Sequence, residues 1–491
     1  MLRLEPWSTK RCLLTSLWLE IPQRSSRIYP LRADAGSVAE GCSQNSAPTV
    51  YVRVFFQGCS DPMFKPQYPP ILLANPDFYG TLAATRSLGS QAIPVYVAAD
   101  RVLAVSRWSR LAARTLRCPP LDEPNRFLDW LGKVGERQPG IVLYPTSDEA
   151  AFLYALRADE LSRNFRMYQP GLDSILHVLD KKRLYSTARQ VGLETPETWF
   201  PETEADVARI GRDAPMPLLI KPRTQVLSKT HSKGVIVTRS DELVVRYREV
   251  VNTARYGRAV LEQFPDAGRP MIQAYLADAA ERIYVLAAFV DRSGSLFAAR
   301  AGMKIFQRPR RLGIGLCFQE APLDQDIADG VRRLALSAGY YGLLQLEFIR
   351  VGERYLLIDY NPRFYNQLAF DVARGLHLPM IVYAAALGAT DDVRRLVEAS
   401  QQQPEDNGLV FCNGFGLSIM LTAQRLLGQM SPAQALVWRR WRADHDGAMI
   451  DPAVVPGDPL PAFVDMAAQL HAMARHPRAF LRKVVFDRTP A

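Results

Sequence analysis

The sequence predicts a protein of the α/β (α+β) class, on three observations. Short apolar runs, Ile71-Leu-Leu-Ala, Val95-Tyr-Val-Ala and Ile141-Val-Leu-Tyr, alternate with helix-forming stretches, which is the pattern of a parallel sheet with helices on both faces. Two further apolar runs, Leu343 to Arg350 and Tyr355 to Tyr360, flank Gly352-Glu353-Arg354 and read as an antiparallel hairpin with a three-residue loop. Past Leu387 the chain turns helical and arginine-rich, as in Asp392 to Ala399 and Ala433 to Trp441.

At 491 residues the chain has room for several domains. Its 48% hydrophobic and 22% charged residues are those of an ordinary globular protein. The six cysteines (12, 42, 59, 118, 317 and 412) include no CxxC pair and are too sparse for a disulfide framework, which favours a reducing cytoplasm and disfavours zinc. The formal charge of +10 comes from scattered arginines rather than a basic block, so an arginine-rich surface or a phosphate site is expected, and no nucleic-acid partner. No apolar run reaches the roughly 18 residues of a membrane span.

Residues 1–68 show little periodic patterning, with frequent Ser, Arg and Pro and few acids. A disordered extension, or a stretch preceding the true start with Met63 as its first residue, is expected there; a transit peptide is the competing reading.

Further along, Asn75-Pro-Asp-Phe-Tyr-Gly80 is a turn and Thr81 to Leu88 opens a helix. Ligands of parallel α/β sheets sit at the carboxyl ends of strands, so Asn75 and Thr146-Ser-Asp-Glu149 are candidate walls of a site. Capping of the following helix by Ser147 or Asp148 is the alternative. Asp180-Lys181-Lys182 starts a helix that Gly192 closes, with an extended exit through Thr195-Pro196. Pro217-Leu-Leu-Ile-Lys221 is a buried strand ending in a lysine. The polar loop after it, Thr224 to Gly234 with His231, lacks the P-loop spacing but could close over phosphates as a lid. A helix from about Asp241, a strand from Met271 to Tyr275 and another from Ile283 to Phe289 follow, and Gln401 to Gly408 is a linker.

The hairpin carries the chemistry. A turn centred on Glu353 sets Glu347 opposite Asp359 and Gln345 opposite Asn361, all four on one face, because strand side chains repeat every second residue. Carboxylates directly opposite each other are destabilising; roughly 5 Å apart at an effective dielectric of about 20 they repel by about 3 kcal/mol. A hard cation removes the conflict, since carboxylates and an amide oxygen are ligands Mg²⁺ takes alongside water and phosphates. A solvated edge whose acids meet no metal is the competing reading.

Taken in order, these pieces resemble the ATP-grasp superfamily, the carboxylate-amine ligases and their relatives. The resemblance covers about residues 69 to 390 and rests on an ordered series. It comprises the Pro-Thr-Ser-Asp-Glu149 turn, the Asp180-Lys181-Lys182 helix, Leu-Leu-Ile-Lys221-Pro, Ile-Gln273-Ala-Tyr-Leu276, Gln-Leu-Glu347-Phe and Ile-Asp359-Tyr-Asn361-Pro-Arg363-Phe. Among members the chain is most similar to the D-aspartate-ligase-like and predicted ATP-grasp branch. The resemblance implies an ATP-grasp fold at 173–390, with a lid at about 196–270. A Rossmann-like α/β domain at 69–172 would precede it and a helical C-terminal region at 391–491 follow it.

It further implies ATP and one or two Mg²⁺ as cofactors, with Mn²⁺ as the substitute ion. Lys181 and Lys221 would contact the α- and β-phosphates, and adenine would lie between the Lys221 strand and the segment Gln273, Ala274, Tyr275 and Leu276. Glu281, or Asp278 near it, would hold the ribose. Glu347, Asp359 and Asn361 would bind metal, and Arg363 with Lys304 or Arg308 would stabilise the transferring phosphoryl group. Two departures stand out: Asp359 occupies a position where many relatives carry Glu, and the loop at 224–234 is poor in glycine. The implied activity joins a small carboxylate to an amine, in the cytoplasm, through an acyl phosphate. A bicarbonate-using carboxylase or carbamoyl-phosphate type is the alternative, although no Ala-Met-Lys-Met biotinylation stretch occurs. A non-catalytic ATP-binding regulator is the other. Trp438-Arg-Arg-Trp-Arg442 and His476 to Val485 are read as amphipathic packing, with peripheral contact to an anionic membrane as the competing role.

Overall fold

The computed structural model describes residues 68–228, 234–276, 282–308, 313–404 and 406–477, all within the unit Val54–Ala491. The readings of residues 1–67, of His231 with the rest of 229–233, of Asp278 and Glu281, and of the tail 478–491 lie outside the described residues.

Five parallel strands come first: β1 (Ile71–Leu73), β2 (Val95–Ala99), β3 (Ala112–Arg117), β4 (Ile141–Leu143) and β5 (Phe165–Met167), in the order β3-β2-β1-β4-β5. The order reverses between β1 and β4, so the carboxyl ends of those two strands form the switch point where such sheets open a crevice. Asn75 and Thr146 lie there. Thr146 Oγ1 donates to the carbonyl of Ala74 at 2.6 Å, tying the two strand ends together.

A smaller antiparallel sheet follows. It contains β6 (Thr198–Trp199), β7 (Leu218–Lys221), β8 (Val235–Val237) and β9 (Met271–Ala274) in the order β6-β9-β7-β8. Leu218, Ile220 and Ile272 face a local core closed by the helices Glu204–Asp213 and Leu243–Thr253. Because Lys221 pairs with Met271 and Leu219 with Gln273, Lys221 and Gln273 share the opposite face.

The third sheet holds β10 (Ile283–Val290), β11 (Phe297–Arg308), β12 (Ile314–Ala321), β13 (Gly342–Val351), β14 (Arg354–Asn361), β15 (Val410–Cys412) and β16 (Met449–Ile450), ordered β14-β13-β10-β11-β12-β15-β16. It shares an apolar core with the parallel sheet through Leu73, Val97 and Val142 against Phe289, Leu343, Phe364 and Tyr365. Beside this core the helix Tyr79–Ser90 meets the segment after β14 closely: a Cβ at Gly80 would lie 2.6 Å from the Tyr365 carbonyl oxygen.

Two expectations are corrected. The C-terminal region is not purely helical, because β15 and β16 extend the large sheet. The hairpin turn has two residues, Gly352 and Glu353, since Val351 pairs with Arg354; Gly352 at φ +60° supplies the positive φ that a tight turn of this kind asks of its first central residue. A bulge then restores the expected register. Phe348 pairs with Leu357 but Glu347 pairs with Asp359, leaving Ile358 as the extra residue. The helices at Thr390–Gln401 and Pro432–Asp444 lie where the sequence placed them. Trp438 packs edge-on against Phe306, its ring centroid 4.7 Å away.

Candidate active site

Glu347 and Asp359 stand opposite each other with Gln345 and Asn361 paired beside them, as the alternation predicted. What neutralises the acids in this structure is a pair of lysines. Lys181 Nζ donates to Asp359 Oδ1 at 2.5 Å, and Lys304 Nζ, reaching diagonally from β11 across β10, donates to Glu347 Oε2 at 2.6 Å. Both lysines are more deeply buried than their acids: side-chain exposures are 9% for Lys181 against 41% for Asp359, and 3% for Lys304 against 22% for Glu347. Burial pulls the Lys181 ammonium down, but the charge and hydrogen bond of Asp359, with Tyr185 and Asp148 adding to them, outweigh it and hold the group above the usual lysine range.

The bulge positions this pair. Tyr185, one turn after Lys181 on the helix Lys181–Gln190, donates its hydroxyl to the carbonyl of the extra residue Ile358 at 3.0 Å. Residues four apart share a helix face, so a single helix face meets both Ile358 and Asp359. The start of that helix is fixed in turn. Asp180 caps it by accepting from the Lys182 N–H and receives the buried Arg223 guanidinium at 2.7 and 3.1 Å, while the Lys181 N–H donates to the Arg223 carbonyl. Arg223 lies two residues past Lys221 and rests on the ring of Phe264. Lys181 and the end of β7 are therefore locked to each other.

Arg363 occupies the far end of the hairpin. Its Nε donates to Asp148 at 3.0 Å, Nη2 to Asn361 Oδ1 at 2.7 Å and Nη1 to the Phe364 carbonyl at 3.1 Å, and it lies over the Phe78 ring at 5.2 Å. Asn361 Nδ2 donates to Gln345 at 2.6 Å. The capping reading of the 146–149 turn holds, since Ser147 caps the helix Asp148–Leu156, and Asp148 is left to hold Arg363. Burial and then the neighbouring Asp148 push the Glu149 carboxyl above its usual range.

The structure thus gathers Lys181, Lys304, Glu347, Asp359, Asn361 and Arg363. Gln273 donates to Thr198 at 2.9 Å and to the Tyr185 hydroxyl at 3.4 Å, so it borders the Lys181 helix; Tyr275 and Leu276 continue from β9. Arg308 is not among them. Its guanidinium lies within electrostatic reach of Tyr79 and Asp465 and hydrogen-bonds none of the gathered residues. Sequence reading missed Tyr185, Arg223 and Phe78. Of these, Arg223 carried a signal, being a cation two residues past a strand-end lysine. Among the described residues no three His, Cys, Asp or Glu side chains converge as a metal cage, so a cation held by the acidic pair would take further oxygens from Asn361 and from its own ligand. No helix of the described residues is long and apolar enough to cross a membrane.

Parallel sheet, small antiparallel sheet and large antiparallel sheet, with the cleft residues between them, give this chain the ATP-grasp fold. Its structure is similar to the biotin carboxylase domain of the Hydrogenobacter thermophilus 2-oxoglutarate carboxylase, solved with MgADP and bicarbonate, at a TM-score of 0.52 and 17% identity over 66% of this chain and 70% of that one. In sequence it is 23% identical over 276 residues to the carbamoyl phosphate synthase large chain of Thermus thermophilus, 56% of this chain and 25% of that protein. The chain thus spans about a quarter of the length of the curated relatives it matches. No family model matches the sequence.

Proposed function

We propose that the protein is an ATP-dependent ligase that joins a small carboxylate to an amine through an acyl phosphate, releasing ADP and phosphate. The observation that carries this reading is the facing pair Glu347 and Asp359, each bound by a buried lysine, beside an arginine whose fork is fixed by Asp148 and Asn361. Phosphoryl transfer asks for little covalent help from the protein; it needs cations placed around an in-line displacement. Lys181 and Lys221 would take the α- and β-phosphates. Adenine would lie along Gln273, Tyr275 and Leu276, with the ribose at Glu281.

The two carboxylates fit Mg²⁺, singly or as a pair of ions, with Mn²⁺ as substitute. They are directly opposed, they are hard oxygen donors, and Asp359 is open enough to exchange its lysine for a metal-bound nucleotide. When bound, the ion would neutralise charge on the phosphates being separated. Arg363 and Lys304 would face the transferring phosphoryl group. In the first step a substrate carboxylate oxygen attacks the γ-phosphorus and the bond to ADP breaks. In the second the amine attacks the acyl carbon, loses a proton and expels inorganic phosphate. Excluding water from the acyl phosphate keeps the second step productive.

The division into 69–172, 173–390 with a lid at about 196–270, and 391–491 belongs to this proposal. So does a cytoplasmic site of action, which the sparse cysteines favour. A bicarbonate-using reaction of the carbamoyl-phosphate type is the second reading, favoured by the similarity to the synthase large chain. The test is ADP release by the full chain with MgATP and paired panels of carboxylates, bicarbonate included, and amines. Release that needs both a carboxylate and an amine, and that Asp359→Ala abolishes, supports the ligase. Release with bicarbonate alone moves the assignment to the second reading, and no release across the panel contradicts both.

A further inference from the structure

Cys317 on β12 and Cys412 on β15 are 95 residues apart in sequence, and their sulfur atoms stand 3.6 Å from each other. The two residues are directly opposed in the antiparallel ladder. The next rung, Leu316 with Asn413, carries a hydrogen bond: the Asn413 N–H donates to the Leu316 carbonyl at 2.8 Å. Hydrogen-bonded and non-hydrogen-bonded pairs alternate along such a ladder, so the cysteines occupy a non-hydrogen-bonded pair, where opposing Cα atoms approach to about 4.5 Å. That spacing falls within the roughly 4.4–6.8 Å that a disulfide spans, and rotation about the Cα–Cβ bonds closes sulfurs already in contact to the roughly 2.05 Å of an S–S bond. Both side chains are fully buried and pack with Leu417, Leu421 and Trp438. A cavity of about 100 Å³ opens among those same three residues, with Arg442 on its wall.

We propose that Cys317 and Cys412 are a reversible dithiol–disulfide site, oxidised by a small hydroperoxide, that fastens the C-terminal region to the large sheet. With hydrogen peroxide, one cysteine sulfur attacks a peroxide oxygen, the O–O bond breaks, and a sulfenic acid and one water result. The second sulfur then attacks the first, the S–O bond breaks, and the second water leaves. The two thiols give up two electrons and the peroxide takes them. A cavity of this size admits a peroxide but not a bulky disulfide reagent. Burial, and then the hydrogen bond and nearness of Cys412, hold the Cys317 thiol well above its usual range, against a smaller pull from Arg442. The pair therefore rests reduced and reacts slowly, as suits a site that answers oxidant load inside a reducing compartment. What the bond would fasten is also plain. Cys412 precedes Asn413, which caps the helix Gly414–Leu426 by accepting from the Gly416 N–H at 2.8 Å and donates to the Tyr79 hydroxyl at 2.8 Å. On its other side Cys317 pairs with Phe306 of β11. The site depends on neither the nucleotide nor the reaction proposed above.

The test reads covalent state and stability, not turnover, so it separates from the ligase assay. The full chain is reduced, freed of reductant, treated with hydrogen peroxide under native conditions, alkylated, digested and mapped by mass spectrometry. The expected product joins the Cys317 and Cys412 peptides, lighter by two hydrogens, and dithiothreitol releases them. Because a disulfide closing so long a loop restrains the unfolded chain, the oxidised protein should melt roughly 2–5 °C above the reduced one. Cys412→Ser should abolish that shift and Cys118→Ser should keep it. The peptide map is read on the unaltered protein, so the test survives a variant that fails to fold. Sulfinic or sulfonic acid on either cysteine without the joined peptides, joined peptides that form only in guanidinium, or a crosslink that lowers Tm would each overturn the site and leave the two cysteines as core packing.

Discussion

Truncating Asp359 to alanine should cost more stability than replacing Lys181 by methionine, although the two side chains share one hydrogen bond of 2.5 Å. The reason is unequal burial. Lys181 is 9% exposed and Asp359 41%. Asp359→Ala strands an ammonium in a nearly dry site, where breaking a buried ion pair from one side costs about 3–5 kcal/mol; water entering through the gap left by the half-exposed acid brings the figure toward about 2 kcal/mol. Lys181→Met keeps the apolar stem that fills the same space and leaves a carboxylate that water can solvate. The loss is then that of a screened, half-exposed pair, under about 1 kcal/mol. Guanidinium titrations of both variants, followed by circular dichroism near neutral pH, measure the difference. A Lys181→Met protein less stable than Asp359→Ala would refute the argument that the lysine is the buried member.

Three further outcomes follow from particular contacts. Arg363→Lys should lower turnover on the order of 100-fold, because an ammonium cannot hold Asp148, Asn361 and the Phe364 carbonyl at once; steady-state kinetics with near-native Tm would show it. Gly80→Ala should destabilise by about 1–3 kcal/mol or prevent folding, since the new Cβ meets backbone atoms of Tyr365 at 2.6 Å, and a thermal melt decides it. Burial raises the Asp458 carboxyl, but Arg86, the Arg110 N–H and Ser109 together hold it below the usual range. A depressed carboxylate stabilises above its unfolded pKa and loses that contribution as pH falls through the folded value. The stability gap between wild type and Asp458→Asn should therefore be full near neutral pH and shrink below about pH 4, the unfolded aspartate range.

Much of the site was legible because a strand's alternation fixes faces. Glu347, Asp359, Gln345 and Asn361 could be paired from spacing alone, and Lys221 and the Asp180-Lys181 cap follow from strand and helix ends. The register came out right by two compensating departures: the turn is one residue shorter than read, and Ile358 is one residue extra. Nothing in Leu356-Leu357-Ile358 marks which apolar residue bulges; the contact that accompanies the bulge, the Tyr185 hydroxyl on the Ile358 carbonyl, comes from a helix far away in sequence. The partner of Glu347 depends on β11, whose Ala-Ala-Arg-Ala-Gly run carries neither a strand nor a helix period. Strands as short as Val410–Cys412 are set by the sheet edge they extend, not by local propensity. Arg308 was grouped with the phosphoryl site because sequence gives its distance along the strand but not which side chains it meets.

The most direct measurement is calorimetric titration of the full chain with ADP, with and without Mg²⁺, in wild type and in Glu347→Gln/Asp359→Asn. The account predicts tight binding that requires Mg²⁺ and is lost in the double variant, with its lysines intact. Nucleotide binding of equal strength without the ion, or undiminished in the variant, would contradict it.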